Sequence, residues 1–169
     1  GLQVEHSLVQ RTTEQDLLPM GQALGLGIVA GSPLGGGMLT GKYRRGEKGR
    51  AEGLGGRVFQ AENNEQRTAI LDTLIAVAKD VGATPSQVAI AWVAAKGSLP
   101  IIGPRDTSQL GDNLAATKVK LTPEQVTRLD EVSVVPLAFP HSLASDVGWR
   151  QRIAGGKLDQ LDLPAMPVA

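Results

Sequence analysis

The feature that most restricts the fold is the segment LGIVAGSPLGGGMLTGKY, residues 26–43. It begins with a short apolar run, residues 26–30, which carries no charge and ends at glycine and proline. Such a run is typical of a strand buried on both faces, as in parallel sheets. The glycines at residues 35–37 follow, and glycine allows a backbone to take positive φ and to approach a ligand closely.

The loop after this strand carries groups that suit an anion. Ser32 stands at its start, and Thr40, Lys42 and Tyr43 follow the glycines. Backbone N–H groups together with one ammonium group can bind a phosphate. Glycine-rich loops are also common as flexible connections, in which case Lys42 is simply solvated. The segment alone leaves both interpretations open.

The composition favours one globular domain of ordinary size. Hydrophobic residues make up 41% of the 169 residues. Lys+Arg and Asp+Glu both number 17, so the formal net charge is zero and no overall electrostatic field attracts nucleic acid or a membrane surface. The chain has no cysteine, and His6 and His141 lie far apart, which excludes disulfides and gives no metal-ligand spacing. No apolar run approaches the ~20 residues of a membrane span. Without a visible secretory signal, we expect a cytoplasmic protein with no nucleic-acid or membrane partner.

Apolar periodicity and capping residues predict two central helices. Apolar residues recur at helical spacing over residues 64–81, and Gly82 ends that helix. Thr84-Pro85-Ser86-Gln87 is a capping box, which opens a second helix to about Lys96. This second helix is expected to bury the following side chains: Val88, Ala91, Trp92 and Ala95.

Three further helices are predicted with less regular patterns. Thr13 can cap a helix from Glu14, although Pro19 indicates a break or a late start. Another helix begins at residue 106 or 107, with Leu110 and Leu114 inward. A second capping box at residues 122–125 opens a helix to about residue 132. The tail, residues 133–169, is predicted to be irregular, with one short helix near residues 145–154.

Strands predicted at residues 2–5, 26–30 and 99–102 alternate with these helices, which indicates an α/β fold with a parallel sheet. Residues 44–63 are polar and predict a long loop over one face. Three parallel strands leave both sheet edges open. The sequence also enters a strand without an initiator Met, so we expect a fragment of something larger.

Four motifs in order give the chain a family resemblance: QVEHSLVQR, GIVAGSPLGGGMLTGKY, ATPSQVAIAW and LPIIGPRDTSQLGDNL. Together they resemble the C-terminal half of an aldo-keto reductase, over most of residues 2–132. The resemblance implies the C-terminal part of a (β/α)8 barrel, with the site at the C-terminal ends of the strands. It also implies a parent enzyme that uses NADPH to reduce a small-molecule carbonyl substrate, an aldehyde or a ketone.

The resemblance further implies which residues bind NADPH or NADP+. Gln3 matches the glutamine that contacts the nicotinamide carboxamide. The pyrophosphate would be held by Ser32, Pro33, Leu34, Gly35 and Gly36, with Thr40, Lys42 and Tyr43 closing over it. The adenosine end would be held by Gly103 and Arg105 at its phosphate and by Gln109, Asp112 and Asn113 at the adenine. Metal ions have no implied role.

Two positions depart from the family pattern. Gly31 stands where an aromatic residue usually stacks on the nicotinamide, so we expect an effect on cofactor affinity or hydride geometry. His6 stands where the pattern often has tyrosine, and it is expected either to line the pocket or to be a hydrogen-bonded packing residue.

The family's catalytic tyrosine, lysine, aspartate and histidine belong to the front half of the barrel. The only tyrosine here, Tyr43, matches a cofactor contact, so no catalytic residue is predicted, and the chain alone is expected to reduce no carbonyl substrate. A non-catalytic nucleotide-binding or regulatory half-barrel module, or an inactive fragment, are the alternatives. The open strand edges predict a partner, either a missing N-terminal half or a second copy.

Overall fold

The computed structural model describes residues 1–42 and 62–162, and within them three strands form one parallel sheet. The strands are β1 (Leu2–Glu5), β2 (Ile28–Gly31) and β3 (Leu99–Pro100), in the order β1–β2–β3. Strand β3 is shorter than the predicted 99–102, although the Ile101 amide still donates to the Ala30 carbonyl at 2.8 Å. The predicted α/β class with parallel strands is confirmed.

Helices connect and cover these strands. The α-helices are α1 (Leu17–Ala23), α2 (Glu65–Asp80), α3 (Pro85–Ala95), α4 (Thr107–Ala115), α5 (Pro123–Val132), α6 (His141–Ser145) and α7 (Val147–Ile153). Short 3-10 turns lie at Thr12–Gln15, Gly35–Thr40, Ala116–Lys118 and Leu158–Gln160. Both predicted capping boxes are present: Thr84 and Gln87 bond reciprocally at the start of α3, as Thr122 and Gln125 do at α5. These bonds satisfy amides that the first helical turn leaves unpaired.

The main core lies between the sheet and helices α2, α3 and α5. Leu71, Leu74, Trp92 and Leu129 are fully buried there, together with Ala30 of β2. Helix α3 is buried on almost all sides, since every residue from Val88 to Val93 is buried. Ala95 is exposed instead of buried as predicted, because it lies in the last turn of α3, where the chain leaves the core.

The first helix starts later than the sequence predicts. A 3-10 turn occupies Thr12–Gln15, and Asp16 caps α1, its side chain accepting from the Leu17 amide at 2.6 Å. Thr13 is not a cap; its hydroxyl donates to the Glu5 carbonyl at 3.3 Å. The reason is Pro19, which lacks an N–H and is tolerated only in the first helical turn.

Apolar side chains on β3 and α4 are exposed. Leu110 and Leu114, expected to face inward, are 39% and 51% exposed, because no element among the described residues covers that face of α4. Leu99 and Ile101 are 68% and 41% exposed, in agreement with the open sheet edge that the sequence predicts. No described element pairs with the outer edge of β3.

The short helix predicted near residues 145–154 is present as α7 (Val147–Ile153), and the tail is more helical than predicted because α6 (His141–Ser145) precedes it, with Asp146 between them. Asp146 caps α7 through the Trp149 amide at 2.6 Å. Most of the predicted loop at residues 44–63, and the predicted cofactor contact Tyr43, lie outside the described residues. Within the described segments, no helix combines the length and apolarity that crossing a bilayer requires.

Candidate functional site

A cleft of about 460 Å³ opens at the C-terminal ends of β2 and β3. It is lined by Leu34, Gly37, Thr40, Lys42, Thr84, Pro85, Ser86, Gly103, Arg105, Ser108, Gln109, Asp112 and Asn113. These residues come from the loop after β2, the N-terminus of α3, the loop after β3, and α4. In parallel α/β folds this is the end of the strands where ligands bind, which makes the cleft the leading candidate site.

Most of the residues predicted to bind the cofactor meet in this cleft. Those that line it are Leu34, Thr40, Lys42, Gly103, Arg105, Gln109, Asp112 and Asn113. Those outside its lining are Gln3, Ser32, Pro33, Gly35 and Gly36, which lie on β1 or in the turn after β2. The structure therefore brings the predicted contacts to the adenosine end together with part of the predicted pyrophosphate loop, while the roles of all these residues stay predictions.

The glycine-rich turn has a fixed geometry that requires glycine. Gly35, Gly36 and Gly37 have φ of +54°, +66° and +105°, values that L side chains rarely adopt. A Cβ at Gly35 would also lie 2.6 Å from the Val9 side chain. The turn is closed by the Thr40 hydroxyl, which donates to the Gly37 carbonyl at 2.7 Å. These contacts give the turn a defined backbone conformation that favours glycine at these positions.

Two cations stand at the cleft without an acidic partner. Lys42 and Arg105 are exposed, and neither forms an ion pair with another described residue. The Arg105 amide donates to Gln109 Oε1 at 3.1 Å, and Gln109 Nε2 donates to Asp106 Oδ2 at 2.9 Å. Asp106 also caps α4. The backbone at Arg105 is thereby fixed while its guanidinium group remains open to an anion.

Asp112 links α4 to the N-terminus of α3 across the cleft wall. Its Oδ1 accepts from Gln87 Nε2 at 2.8 Å and from Thr84 Oγ1 at 3.2 Å. Thr84 and Gln87 are the two members of the capping box of α3. The carboxylate is thus already engaged with protein donors, and its negative charge sits beside the positive end of the α3 dipole.

Behind the sheet, outside the cleft, a buried network of charged groups surrounds Glu14. Glu14 accepts from Arg11 through two bonds of 2.8 Å and from His6 Nε2 at 2.8 Å. Arg11 also donates to the Asp130 carbonyl at 2.7 Å and to Ser133 Oγ at 2.9 Å. Arg11 therefore ties the loop after β1 to the end of α5.

Trp92 lies at the centre of the same network. Its indole N–H donates to Asp130 Oδ1 at 3.0 Å, and Lys96 pairs with Asp130 Oδ2 at 3.1 Å. The Arg11 guanidinium lies 5.4 Å from the indole centroid and the Lys96 ammonium 5.7 Å, within the range of cation–π attraction. Trp92 is therefore a core residue, as the sequence predicts, with a polar partner that the sequence did not reveal.

The network sets the charge state of Glu14. Burial by itself would raise the pKa of this carboxyl, but the hydrogen bonds from Arg11 and His6 and the positive charges of Arg11 and Lys96 lower the pKa to about 2. Glu14 is therefore ionised at neutral pH. The sequence analysis identified Glu14 only as the first residue of a predicted helix. The one sequence signal for its ion pair with Arg11 is the spacing of three residues between them.

His6 is fully buried and packs beside Trp92, with ring centroids 5.2 Å apart. Of the two expectations for His6, the structure agrees with the packing residue, because its Nε2 contacts Glu14 and it lies outside the cleft lining, although its buried Nδ1 has no hydrogen-bond partner among the described residues. The described residues contain no cluster of three or more His, Cys, Asp or Glu side chains that could hold a metal ion.

Comparison with known proteins agrees with this geometry. The family model described as "Aldo/keto reductase family" matches residues 2–134. The uncharacterized oxidoreductase YrpG of Bacillus subtilis (strain 168) is 36% identical over 132 residues, which cover 77% of this chain and 39% of YrpG. The protein AAD14 of Saccharomyces cerevisiae, provisionally named an aryl-alcohol dehydrogenase, is 33% identical over 144 residues, covering 83% of this chain and 38% of AAD14.

Two solved structures extend the likeness to three dimensions. The glycerol dehydrogenase AKR11B4 from Gluconobacter oxydans superposes with a TM-score of 0.69 at 26% identity, over 82% of this chain and 44% of that one. The thermostable aldo-keto reductase Tm1743 gives a TM-score of 0.55 at 30% identity, over 77% of this chain and 38% of that one. The chain thus spans about two fifths of the length of these relatives, and its sheet and helices form a partial (β/α)8 barrel. Taken with the cleft at the strand ends, these matches show that the chain belongs to the aldo/keto reductase family of oxidoreductases.

Proposed function

We propose that this chain supplies the NADP(H)-binding half of a carbonyl reductase of the aldo-keto reductase type. The observation that carries the proposal is the cleft that joins two exposed cations, Lys42 and Arg105, to the glycine turn and to α4, with no ion pair to either cation among the described residues. Such a combination suits an elongated anionic ligand with a polar heterocyclic end. The intact parent is proposed to act on an aldehyde or a ketone.

The donor set of the cleft fits the cofactor. Lys42 and Arg105 bring positive charge for phosphate groups, and the cleft volume of about 460 Å³ accommodates a large part of a dinucleotide. NADPH, when bound, supplies the hydride that reduces the carbonyl carbon. The residues of this chain would bind and orient the cofactor, and the described residues include none that we assign to proton transfer.

Replacement of Arg105 by alanine in the intact barrel, with the front half present, is the direct test of this proposal. Arg105→Ala should weaken binding of NADP+ by about 1.5–3 kcal/mol, roughly 10- to 150-fold in Kd, because a charge-assisted bond to the 2′-phosphate is lost. NAD+, which lacks that phosphate, should lose much less affinity. Isothermal titration calorimetry with both dinucleotides measures the difference.

Arg128→Ala is the matched control, since Arg128 is half exposed and pairs only weakly with Asp80 at 3.1 Å on the surface. We expect its affinity for NADP+ to equal that of the unchanged protein. Equal losses of NADP+ and NAD+ affinity in Arg105→Ala would contradict the assigned 2′-phosphate contact. If neither dinucleotide binds the unchanged protein, the proposed function itself fails.

We also propose that the front half of a barrel covers the exposed apolar residues of β3 and α4. Four apolar side chains are 39–68% exposed, and covering them would recover part of the roughly 1.5–3 kcal/mol that full burial of each contributes: Leu99, Ile101, Leu110 and Leu114. No described strand pairs with the outer edge of β3. Relatives about twice as long as this chain have the same local fold, which favours additional barrel strands as the cover.

Sedimentation equilibrium combined with intact-mass measurement tests this second proposal. The purified chain alone is not expected to form a well-ordered monomer, because its apolar edge recruits a second chain. A retained front half would support the proposal, whereas a symmetric pair of copies would replace it with self-association. A sharp monomer of 17.7 kDa with cooperative thermal unfolding would contradict both.

A further inference from the structure

The two faces of the parallel sheet have different surroundings. Val4 of β1 and Ile28 of β2 pack against Leu18 of α1, so a helix covers this face. Successive side chains of a strand point to opposite faces of the sheet, which places Gln3 and Glu5 on the other face of β1. We call this second face the open face of the sheet.

The open face stays largely exposed in the described part of the chain. Gln3 pairs in register with Val29, and Val29 pairs with Leu99, so these three residues share the open face. Gln3 and Leu99 are exposed, and Val29 is half-buried. In a complete (β/α)8 barrel this face of each strand points to the interior, which side chains from all the strands fill in layers.

Glu5 brings a carboxylate to the open face at the C-terminal end of β1. The residue is half-buried, and its Oε1 is fully buried without a hydrogen-bonding partner among the described residues. Its register partner Gly31 has no side chain that could donate a bond. Buried charges are normally paired, because a carboxylate that has lost its water is costly when nothing replaces that water.

The contrast with Glu14 indicates which kind of partner is missing. Glu14 is the buried carboxylate behind the sheet, and it accepts two bonds from Arg11 and one from His6. Glu5 has no such cation among the described residues. A guanidinium or ammonium group satisfies both the hydrogen bonds and the charge of a carboxylate, whereas a neutral donor leaves the charge uncompensated.

We infer that the front half of the barrel places a lysine or arginine side chain against Glu5 in the barrel interior. This inference rests on the proposed function, in which a front half covers the sheet. The chain spans 38–44% of the length of its relatives, so the rest of a barrel can supply such a residue. An ion pair at one position fixes how the two halves meet, which apolar contact does not do because it is non-directional.

Thermal unfolding of the intact barrel, with the front half present, tests this ion pair. Glu5→Gln keeps the size of the side chain and removes its charge. If a cation faces Glu5, the substitution leaves that cation buried and unpaired, and the midpoint temperature should fall by about 5–10 °C. Glu5→Asp keeps the charge and should lower the midpoint less. No dinucleotide is added, because an oxidised nicotinamide ring is itself a cation.

The sign of the change separates a paired carboxylate from an unpaired one. Removal of an unpaired buried charge relieves a cost, so an unchanged or raised midpoint in Glu5→Gln overturns the ion pair. An equal fall in Glu5→Gln and Glu5→Asp overturns it too, since the shape of the side chain would then matter and its charge would not.

Glu131→Gln is the matched control, because Glu131 of α5 is exposed and its carboxylate has no hydrogen bond or ion pair with another described residue. Its midpoint temperature should equal that of the unchanged barrel. If intact-mass measurement finds no front half with the chain, the proposal that a front half covers the sheet fails, and the ion pair fails with it. A front half that is present while Glu5→Gln has no effect contradicts the ion pair alone.

Discussion

Glu14→Gln should lower the free energy of unfolding by about 3–5 kcal/mol at neutral pH. The substitution removes the negative charge that faces Arg11 and His6, and leaves a buried guanidinium group without its carboxylate. The Glu14 side chain is 3% exposed, so water cannot replace the lost interaction. Urea denaturation followed by circular dichroism measures the loss.

The same network makes a distinct prediction about pH. Because the pKa of Glu14 is lowered from 4.5 to about 2 in the folded state, its ionised form stabilises the fold above about pH 4.5. That contribution, on the order of 3 kcal/mol, is lost as the pH falls from about 4.5 towards 2. The difference in unfolding free energy between the unchanged protein and Glu14→Gln should therefore shrink across this range.

Asp80→Asn is the matched control for Glu14→Gln, since Asp80 is 52% exposed and pairs with Arg128 on the surface. It should change the unfolding free energy by less than about 1 kcal/mol. A Glu14→Gln effect as small as that of Asp80→Asn, or a difference that does not depend on pH, would show that the network contributes little to stability.

Trp92→Ala should cost about 3–5 kcal/mol of unfolding free energy as well. The indole is fully buried in the main core, so its removal leaves a cavity that the surrounding helices fill only in part. It also leaves Asp130 Oδ1 without its donor and removes the ring that faces Arg11 and Lys96. Trp92→Phe should cost less, since an aromatic ring remains and only the N–H donor and part of the volume are lost.

Trp149→Ala provides the control for a tryptophan substitution, because Trp149 of α7 is 37% exposed. In thermal unfolding, the midpoint temperature of Trp149→Ala should lie near that of the unchanged protein. The midpoint of Trp92→Phe should be lower, and that of Trp92→Ala the lowest. The order would be contradicted if Trp92→Phe were as unstable as Trp92→Ala. That result would attribute the whole loss of unfolding free energy to the hydrogen bond between the Trp92 indole N–H and Asp130.

Local sequence signals predicted most of the secondary structure, because each depends on neighbouring residues alone. The capping boxes at Thr84 and Thr122 require only side chains three positions apart, and both are present in the structure. The apolar periodicity of residues 64–81 gave α2 to within one residue at each end. The four family motifs likewise identified the partial barrel, since each motif is short and continuous.

Burial and long-range pairing were not predictable in the same way. Leu110 and Leu114 repeat at helical spacing, yet spacing cannot show whether another element covers that face, and here none of the described elements does. Both Thr13 and Asp16 could cap α1, and Asp16 is the cap in the structure because Pro19 is tolerated only in the first turn of the helix. Such outcomes depend on what packs against a residue.

The sequence by itself determined the α/β class and the location of the glycine turn, because the signals for both lie within continuous motifs. Only the tertiary structure decided that Arg11 reaches Ser133 and Asp130, more than a hundred residues away. It also brought the N-terminus of α3 and helix α4 into the lining of one cleft. The physical reason is that hydrogen bonds and burial act through space, so a residue's partners are fixed only when distant segments are packed together.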